Sequence, residues 1–242
     1  MLNDIDKKGI MIENSGRVDE EAREQESVVL ESLTTKEVER GIISLIHKGR
    51  WSKADLFLIS IEGHNFVLKD FSKKSLFIRL LGCLQIWNES RAYCAIQGIP
   101  GIPKFYKKLN PWSFVMEHVE GVRLVDYKGD VPIRKLLERL NEIISAVNRA
   151  GVFHNDIRGR ENVVIGKDGR LKLIDFAGAV CFKPGGSLYK ILSPIFRWVD
   201  YSAYLKWKSK LVPEDMEERE KRSLRRFNVL RKFWIFNIKR QK

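Results

Sequence analysis

The stretch HNDIRGRENVVIGKDGRLKLID, His154 to Asp175, sets an acid (Asp156), an amide six positions on (Asn162) and a second acid (Asp175) around a short hairpin signal. Asn162 opens one strand, NVVI (Asn162 to Ile165), and Asp175 ends the next, RLKLID (Arg170 to Asp175). Lys167-Asp168-Gly169 supplies the turn between them. Such a hairpin brings an amide and a carboxylate near each other, with oxygen atoms suited to Mg²⁺. Asp156, expected just after a helix, is left to orient a hydroxyl, which completes the parts needed for phosphoryl transfer. Taken singly, each residue is better explained as a cap or a turn. The ordered set of helix, acid, amide, hairpin and acid is what points to chemistry.

Working outward, Ile133, Leu136, Leu137, Leu140, Ile143, Ile144 and Val147 form one apolar stripe and predict a core-packing helix that delivers the chain to His154. Further upstream, Asp55 to Ile61 and Asn65 to Phe71 read as two strands around the turn Glu62-Gly63-His64. Lys69 lies in the second strand between apolar neighbours, where alternation alone would permit a solvent-facing lysine. Glu89 falls in a predicted helix, WNESRAYCAI, and Ser113 to Val119 reads as a short strand.

With those residues in place, the chain resembles the protein-kinase-like superfamily. HND stands where that family has HRD, and DFA where it has DFG. Most members carry the amide five residues after the catalytic Asp; the spacing of six here is similar to bacterial RIO-like and lipopolysaccharide core heptose kinases. The resemblance implies an α+β, two-lobed fold with a small β-rich N-lobe and a reduced, mainly helical C-lobe. It implies that Asp156 is the catalytic base, that Asn162 and Asp175 hold Mg²⁺, and that Lys69 grips the phosphates of ATP with Glu89 as its ion-pair partner. Ser113 to Val119 would be the hinge, with Met116 flanking the adenine and Glu117 and Val119 lining it. The phosphate-covering loop would be KGRWSKA, Lys48 to Ala54, where Ser52 could offer a hydroxyl. That loop has a single glycine, Gly49, and is thin by the family's standard.

Composition bounds the rest. The 242 residues, 44% of them hydrophobic, suit one two-lobed unit. The expected layout is a charged extension over 1–40, an N-lobe over about 41–119, a C-lobe over about 120–202 and a basic helical tail over 203–242. No run of eighteen apolar residues and no signal-peptide core occurs, so a cytoplasmic protein is expected, peripheral at the inner face of a membrane if the tail binds there. Cys83, Cys94 and Cys181 lack metal spacing and are expected to be buried or idle thiols in a reducing compartment. The formal net charge is +13, and from Ala203 onward thirteen Lys/Arg stand against five Asp/Glu. Pro213-Glu214-Asp215 reads as a helix start, followed by a stripe of Leu224, Phe227, Leu230 and Trp234. That tail is either a final helix docked on the C-lobe or a surface for something anionic, with Trp207, Phe233, Trp234 and Phe236 favouring a membrane interface. No nucleic-acid-binding pattern occurs, and none is expected as a partner.

About sixty-seven residues follow Asp175, with no Ala-Pro-Glu closure, which argues against an activation segment and a peptide-docking groove of the eukaryotic type. The expected function is therefore Mg·ATP-dependent phosphorylation of a hydroxyl, leaning to a lipopolysaccharide core sugar, with ATP and an anionic glycolipid or a protein as partners. The alternatives are a RIO-like serine/threonine protein kinase and a pseudokinase adaptor with a membrane-binding tail.

Overall fold

The structure is a computed structural model that describes residues 34–50 and 53–231. Contacts divide the described residues into two units, 34–50 and 53–83 with 106–118, and 84–105 with 119–231. The layout expected from sequence put 84–105 in the N-lobe; the structure groups that segment with the larger unit.

The smaller unit begins with helix α1 (Thr35–Arg40), started by a capping box in which Thr34 and Glu37 satisfy each other's backbone N–H groups. Val38 from this helix is fully buried in the core with Ile59, Phe66, Leu68 and Val115. Residues 34–40 thus belong to the fold rather than to a charged extension. The sheet runs β1-β2-β3-β5-β4, built from β1 (Ile42–His47), β2 (Asp55–Ile61), β3 (His64–Asp70), β4 (Phe105–Asn110) and β5 (Ser113–Glu117). The β2–β3 turn is tighter than expected, with only Glu62 and Gly63 unpaired, both at positive φ (51° and 83°), and Ile61 facing His64. Two consecutive left-handed residues match the strand twist, and glycine meets that demand without strain. Helix α2 (Leu76–Ile96) leaves this unit and continues into the larger one.

In the larger unit, β6 (Gly121–Arg123), β8 (Val163–Gly166) and β9 (Leu171–Leu173) form a three-stranded sheet, and β7 (Val152–Phe153) pairs with β10 (Val180–Cys181). Helix α3 (Ile133–Arg149) buries the predicted stripe from Leu136 to Val147, with Ile133 half-buried. Helix α4 (Ser187–Leu211) runs straight through residue 203, where the basic tail was expected to begin. Pro213–Asp215 is a single 3₁₀ turn, and helix α5 (Glu218–Arg231) starts after it. Phe227 is buried on α5, Leu224 half-buried and Leu230 exposed. Fully buried Phe153 fixes the strand before the loop of interest, in a cluster with Phe182, Tyr189 and Phe196.

Candidate active site

The stretch from His154 folds as a loop that ends at β8, returns through β9 and stops at Asp175. Asn162 lies one residue before β8 and Asp175 two beyond β9, so both flank the hairpin rather than sit in it. The Asn162 carbonyl accepts the Ile174 N–H (3.0 Å), extending the β8–β9 ladder by one rung. Its side chain, 5% exposed, turns back: Nδ2 donates to the Asp156 carbonyl (2.9 Å) and to Asp156 Oδ2 (3.3 Å). Those bonds fix which way the amide points and leave Oδ1 as its remaining acceptor.

His154 ties the same two segments from behind. Its Nε2 bonds the Ile174 carbonyl (3.0 Å), and the Asp156 N–H donates to its Nδ1 (3.3 Å). A carbonyl can only accept, so the ring carries its proton on Nε2 and presents a lone pair at Nδ1. The backbone of Ile174 is therefore held on both sides, its N–H by Asn162 and its carbonyl by His154, one residue before Asp175. Asp175 itself is left-handed (φ 65°, ψ 74°). Its N–H donates to the Tyr93 hydroxyl (3.3 Å), while Phe176 packs between the Tyr93 and His154 rings at 5.1 and 4.5 Å. A non-glycine residue held left-handed by its surroundings is the kind of local strain that gathers at functional sites.

Helix α4 grips the loop on both sides of Asp156. Asp200, 1% exposed, accepts the backbone N–H groups of His154 (2.9 Å) and Asn155 (2.8 Å). With its amide nitrogen turned toward these acceptors, Asn148 from α3 adds a third donor to Asp200, at 3.0 Å. Burial pushes the Asp200 carboxyl up to about 6, against the two backbone donors, which pull it down. Trp207 Nε1–H donates to the Ile157 carbonyl (2.9 Å), Lys206 Nζ to the Arg158 carbonyl (3.0 Å), and Arg158 itself reaches Ser202 (3.3 Å) and Asn228 (2.9 Å). Trp207, expected at a membrane interface, is instead 3% exposed and part of the loop's foundation. Asp200 was missed by sequence reasoning. Its signal was an acid in the apolar run SPIFRWVDYSAY, where only a buried, bonded role is tolerable.

Among the described residues no three or more His, Cys, Asp or Glu gather as a metal nest. The site instead offers one amide oxygen and one carboxylate. Mg²⁺ fits that set, because it keeps water and substrate phosphates as most of its shell. Asn162 and Asp175 would hold it, and it would neutralise charge on the transferred phosphoryl group.

In the smaller unit, Lys69 sits on β3 between Leu56 and Phe114 in register, with Nζ 6.0 Å from the Phe114 ring centroid. It is 7% exposed, so the solvent-facing alternative fails. Met116 is buried and Glu117 half-buried at the end of β5. In the larger unit, Val119 is half-buried, and Glu89 on α2 is fully buried, not a solvated helix charge. Ser52 lies outside the described residues. The thin loop is tied down: the Gly49 N–H donates to Asp55 Oδ1 (2.8 Å), and Lys74 Nζ bonds both the Gly49 carbonyl (2.8 Å) and Asp55 Oδ1 (2.7 Å). A Cβ at Gly49 would stand 2.2 Å from the carbonyl oxygens of Lys53 and Ala54, so glycine is required here for close approach. Its N–H is committed to Asp55 rather than offered to a phosphate. None of the three cysteines is buried: Cys94 is exposed, Cys83 and Cys181 half-buried.

No protein-family model matches the chain. Among curated proteins it is similar to sperm motility kinase 1 of Mus musculus, 26% identical over 157 residues, covering 61% of this chain and 31% of that protein. CBL-interacting serine/threonine-protein kinase 1 of Arabidopsis thaliana is 30% identical over 138 residues, 53% of this chain and 30% of the relative. The chain spans less than a third of the length of these relatives. Among solved structures it is similar to the Rio2 kinase of Chaetomium thermophilum (TM-score 0.57, 14% identity, 81% of this chain and 67% of that one). The same kinase in an ADP/Mg²⁺-phosphoaspartate complex gives a TM-score of 0.55 over 80% of this chain and 67% of that one, also at 14% identity. A β-rich unit around Lys69 and a largely helical unit around Asp156 are what that likeness covers. The chain has a protein-kinase-like fold resembling that of the Rio2 kinases.

Proposed function

We propose that this protein is a Mg·ATP-dependent phosphotransferase acting on a serine or threonine hydroxyl of a protein. The observation that supports it is the double hold on the Ile174 backbone, whose N–H bonds the Asn162 carbonyl and whose carbonyl bonds His154 Nε2, beside the Asn162 amide that bonds Asp156. Asp156 takes the proton of the acceptor hydroxyl as its oxygen bonds to the γ-phosphorus. The bond from that phosphorus to the bridging oxygen breaks, and ADP leaves. Asn162 and Asp175 hold the cation, and Lys69 supplies positive charge to the phosphates. The protein's contribution is alignment and charge neutralisation.

A protein acceptor is supported by the likeness to serine/threonine kinases and to Rio2. The lean to a lipopolysaccharide core sugar rests on the short C-lobe and on an aromatic, cationic tail. Of its four aromatics, Trp207 is buried and Phe233, Trp234 and Phe236 lie outside the described residues. A pseudokinase adaptor draws support from one observation, the Gly49 N–H given to Asp55.

The test is ATP turnover by wild type and Asp156→Ala with Mg²⁺, offered generic protein acceptors and dephosphorylated lipopolysaccharide core in parallel. Asp156-dependent phosphoprotein supports the proposal, and phosphorylated core sugar alone moves the acceptor to the glycolipid. Absence of Mg·ATP binding would leave the adaptor.

A further inference from the structure

Helix α2 is apolar on every side, which is the pattern of a helix covered all round. Its inner side is covered: Ile86, Ala92, Tyr93 and Ile96 are fully buried, and a Cβ at Gly82 would meet the Phe71 ring. Its outer side is left open by the described residues. Leu76, Phe77, Leu80, Leu81, Leu84 and Trp87 are each between 44% and 76% exposed. At 3.6 residues per turn, Leu76, Leu80, Leu84, Trp87 and Arg91 fall within an arc of about 80°, with Phe77 and Leu81 beside it. Six large apolar side chains on three turns form a patch of the size that marks an interaction surface.

Charge says what kind of surface meets it. From Phe71 to Asn88 there is no Asp or Glu, while Lys73, Lys74 and Arg79 are all cationic. Lys74 is neutralised by Asp55 at 2.7 Å. Lys73 lies over the Phe57 ring and Arg79 over Trp112, contacts that leave their charge in place. Arg91 stands over the Trp87 ring (4.5 Å) on the exposed arc, at the end of the apolar stripe. Apolar residues with Trp and Phe in one stripe, cations around them and the helix's one acid, Glu89, fully buried is the composition of a helix that lies in a lipid interface. The whole chain adds a net charge of +13, which draws it to an anionic leaflet. Among the described residues no helix is long and apolar enough to cross a membrane.

We propose that the outer face of α2, from Leu76 to Trp87, docks in the plane of an anionic phospholipid surface. The C-terminal aromatics are not needed for this.

The experiment is vesicle co-sedimentation of the full chain, on phosphatidylcholine alone and on phosphatidylcholine mixed with phosphatidylglycerol. Three proteins are compared: wild type, Leu80→Glu/Leu84→Glu, and a variant with serine at Phe233, Trp234 and Phe236. Wild type should bind the mixed vesicles at least tenfold better than the neutral ones, and the glutamate variant should lose at least tenfold. The tail variant should stay within about threefold of wild type. Full binding by the glutamate variant, or loss confined to the tail variant, overturns the proposal. Thermal unfolding and light scattering on the same proteins test the rivals. If the glutamates lower the melting temperature or abolish a wild-type dimer, another part of this chain or a second copy covers the face, and the proposal fails.

Discussion

Asp200 accepts the backbone N–H of His154 at 2.9 Å across forty-six residues of chain, and that of Asn155 at 2.8 Å. The carboxylate is thus a positioning group for the residue between these amides and Ile157, namely Asp156. Asp200→Asn keeps the shape but turns one acceptor oxygen into a donor facing an N–H. We expect kcat to fall ten- to a hundredfold with KM for ATP changed less than threefold. A proportionate rise in KM with kcat intact would show that the loop is not positioned through this residue.

The same carboxyl gives a pH signature. Its folded value of about 6 lies above the ordinary 3.8, so protonation favours the folded state. That contribution is complete below about 4 and is lost as pH rises through about 6, each tenfold difference in proton affinity being worth roughly 1.4 kcal/mol. Denaturant titrations should find this component in wild type and not in Asp200→Asn. Turnover should run the other way, since a protonated carboxyl no longer accepts both amides. An acid limb near pH 6 that persists unchanged in Asp200→Asn would reject this account.

Asn162 does two things with one amide, and two substitutions separate them. Asn162→Asp keeps a ligating oxygen but loses the donor to Asp156 and sets a second carboxylate about 3.3 Å from Asp156 Oδ2. It should bind Mg·ATP within tenfold of wild type and turn over at least thirtyfold more slowly. Asn162→Ala should lose both. Asp156→Ala should lose at least two decades of turnover, the usual worth of a general base, about 10²–10⁴-fold, and Asp175→Ala should abolish Mg²⁺-dependent nucleotide binding. Equal Mg·ATP affinity in wild type and Asp175→Ala would remove the metal role.

Gly49, in the stretch from Lys48 to Ala54, is held by Asp55 and Lys74. Lys74→Met removes both of its bonds, to the Gly49 carbonyl and to Asp55. Charged hydrogen bonds of this kind are worth about 1.5–3 kcal/mol. Trypsin should then cut after Arg50 or Lys53 at least tenfold faster, read by mass spectrometry. Unchanged cleavage with unchanged KM for ATP would show that the tie holds nothing.

Trp207→Phe leaves the buried Ile157 carbonyl without its indole donor. The expected cost is about 1–3 kcal/mol of stability, measured by urea unfolding, with vesicle binding unaltered. Weakened vesicle binding at full stability would return Trp207 to the surface role its sequence suggests.

What the sequence disclosed was local. The hairpin between Asn162 and Asp175 was legible because a turn and two short strands fix its spacing. The helix from Ile133 was legible because its stripe repeats at the helical period. Asp200 was illegible because its partners are forty-six and forty-five residues away, and no spacing rule reaches that far. Trp207 was misplaced for a related reason. A basic stretch with aromatics looks the same whether its rings meet lipid or the underside of a loop, and only the Ile157 carbonyl decides. The tie at Gly49 was hidden because a glycine needed for close approach and one offered to phosphate are the same letter.

The residues on either side of Asp156, His154 and Asn155 before it and Ile157 and Arg158 after it, are fastened to α4 through side chains at 200, 202, 206 and 207. A motif search ends at Asp175 and never inspects that helix. A chain with the whole of 154–175 intact and a leucine at 200 would keep every letter of the motif and lose the acceptor for the His154 and Asn155 amides. The diagnosis of dead kinases in this fold therefore has to be made on the scaffold as well as on the signature.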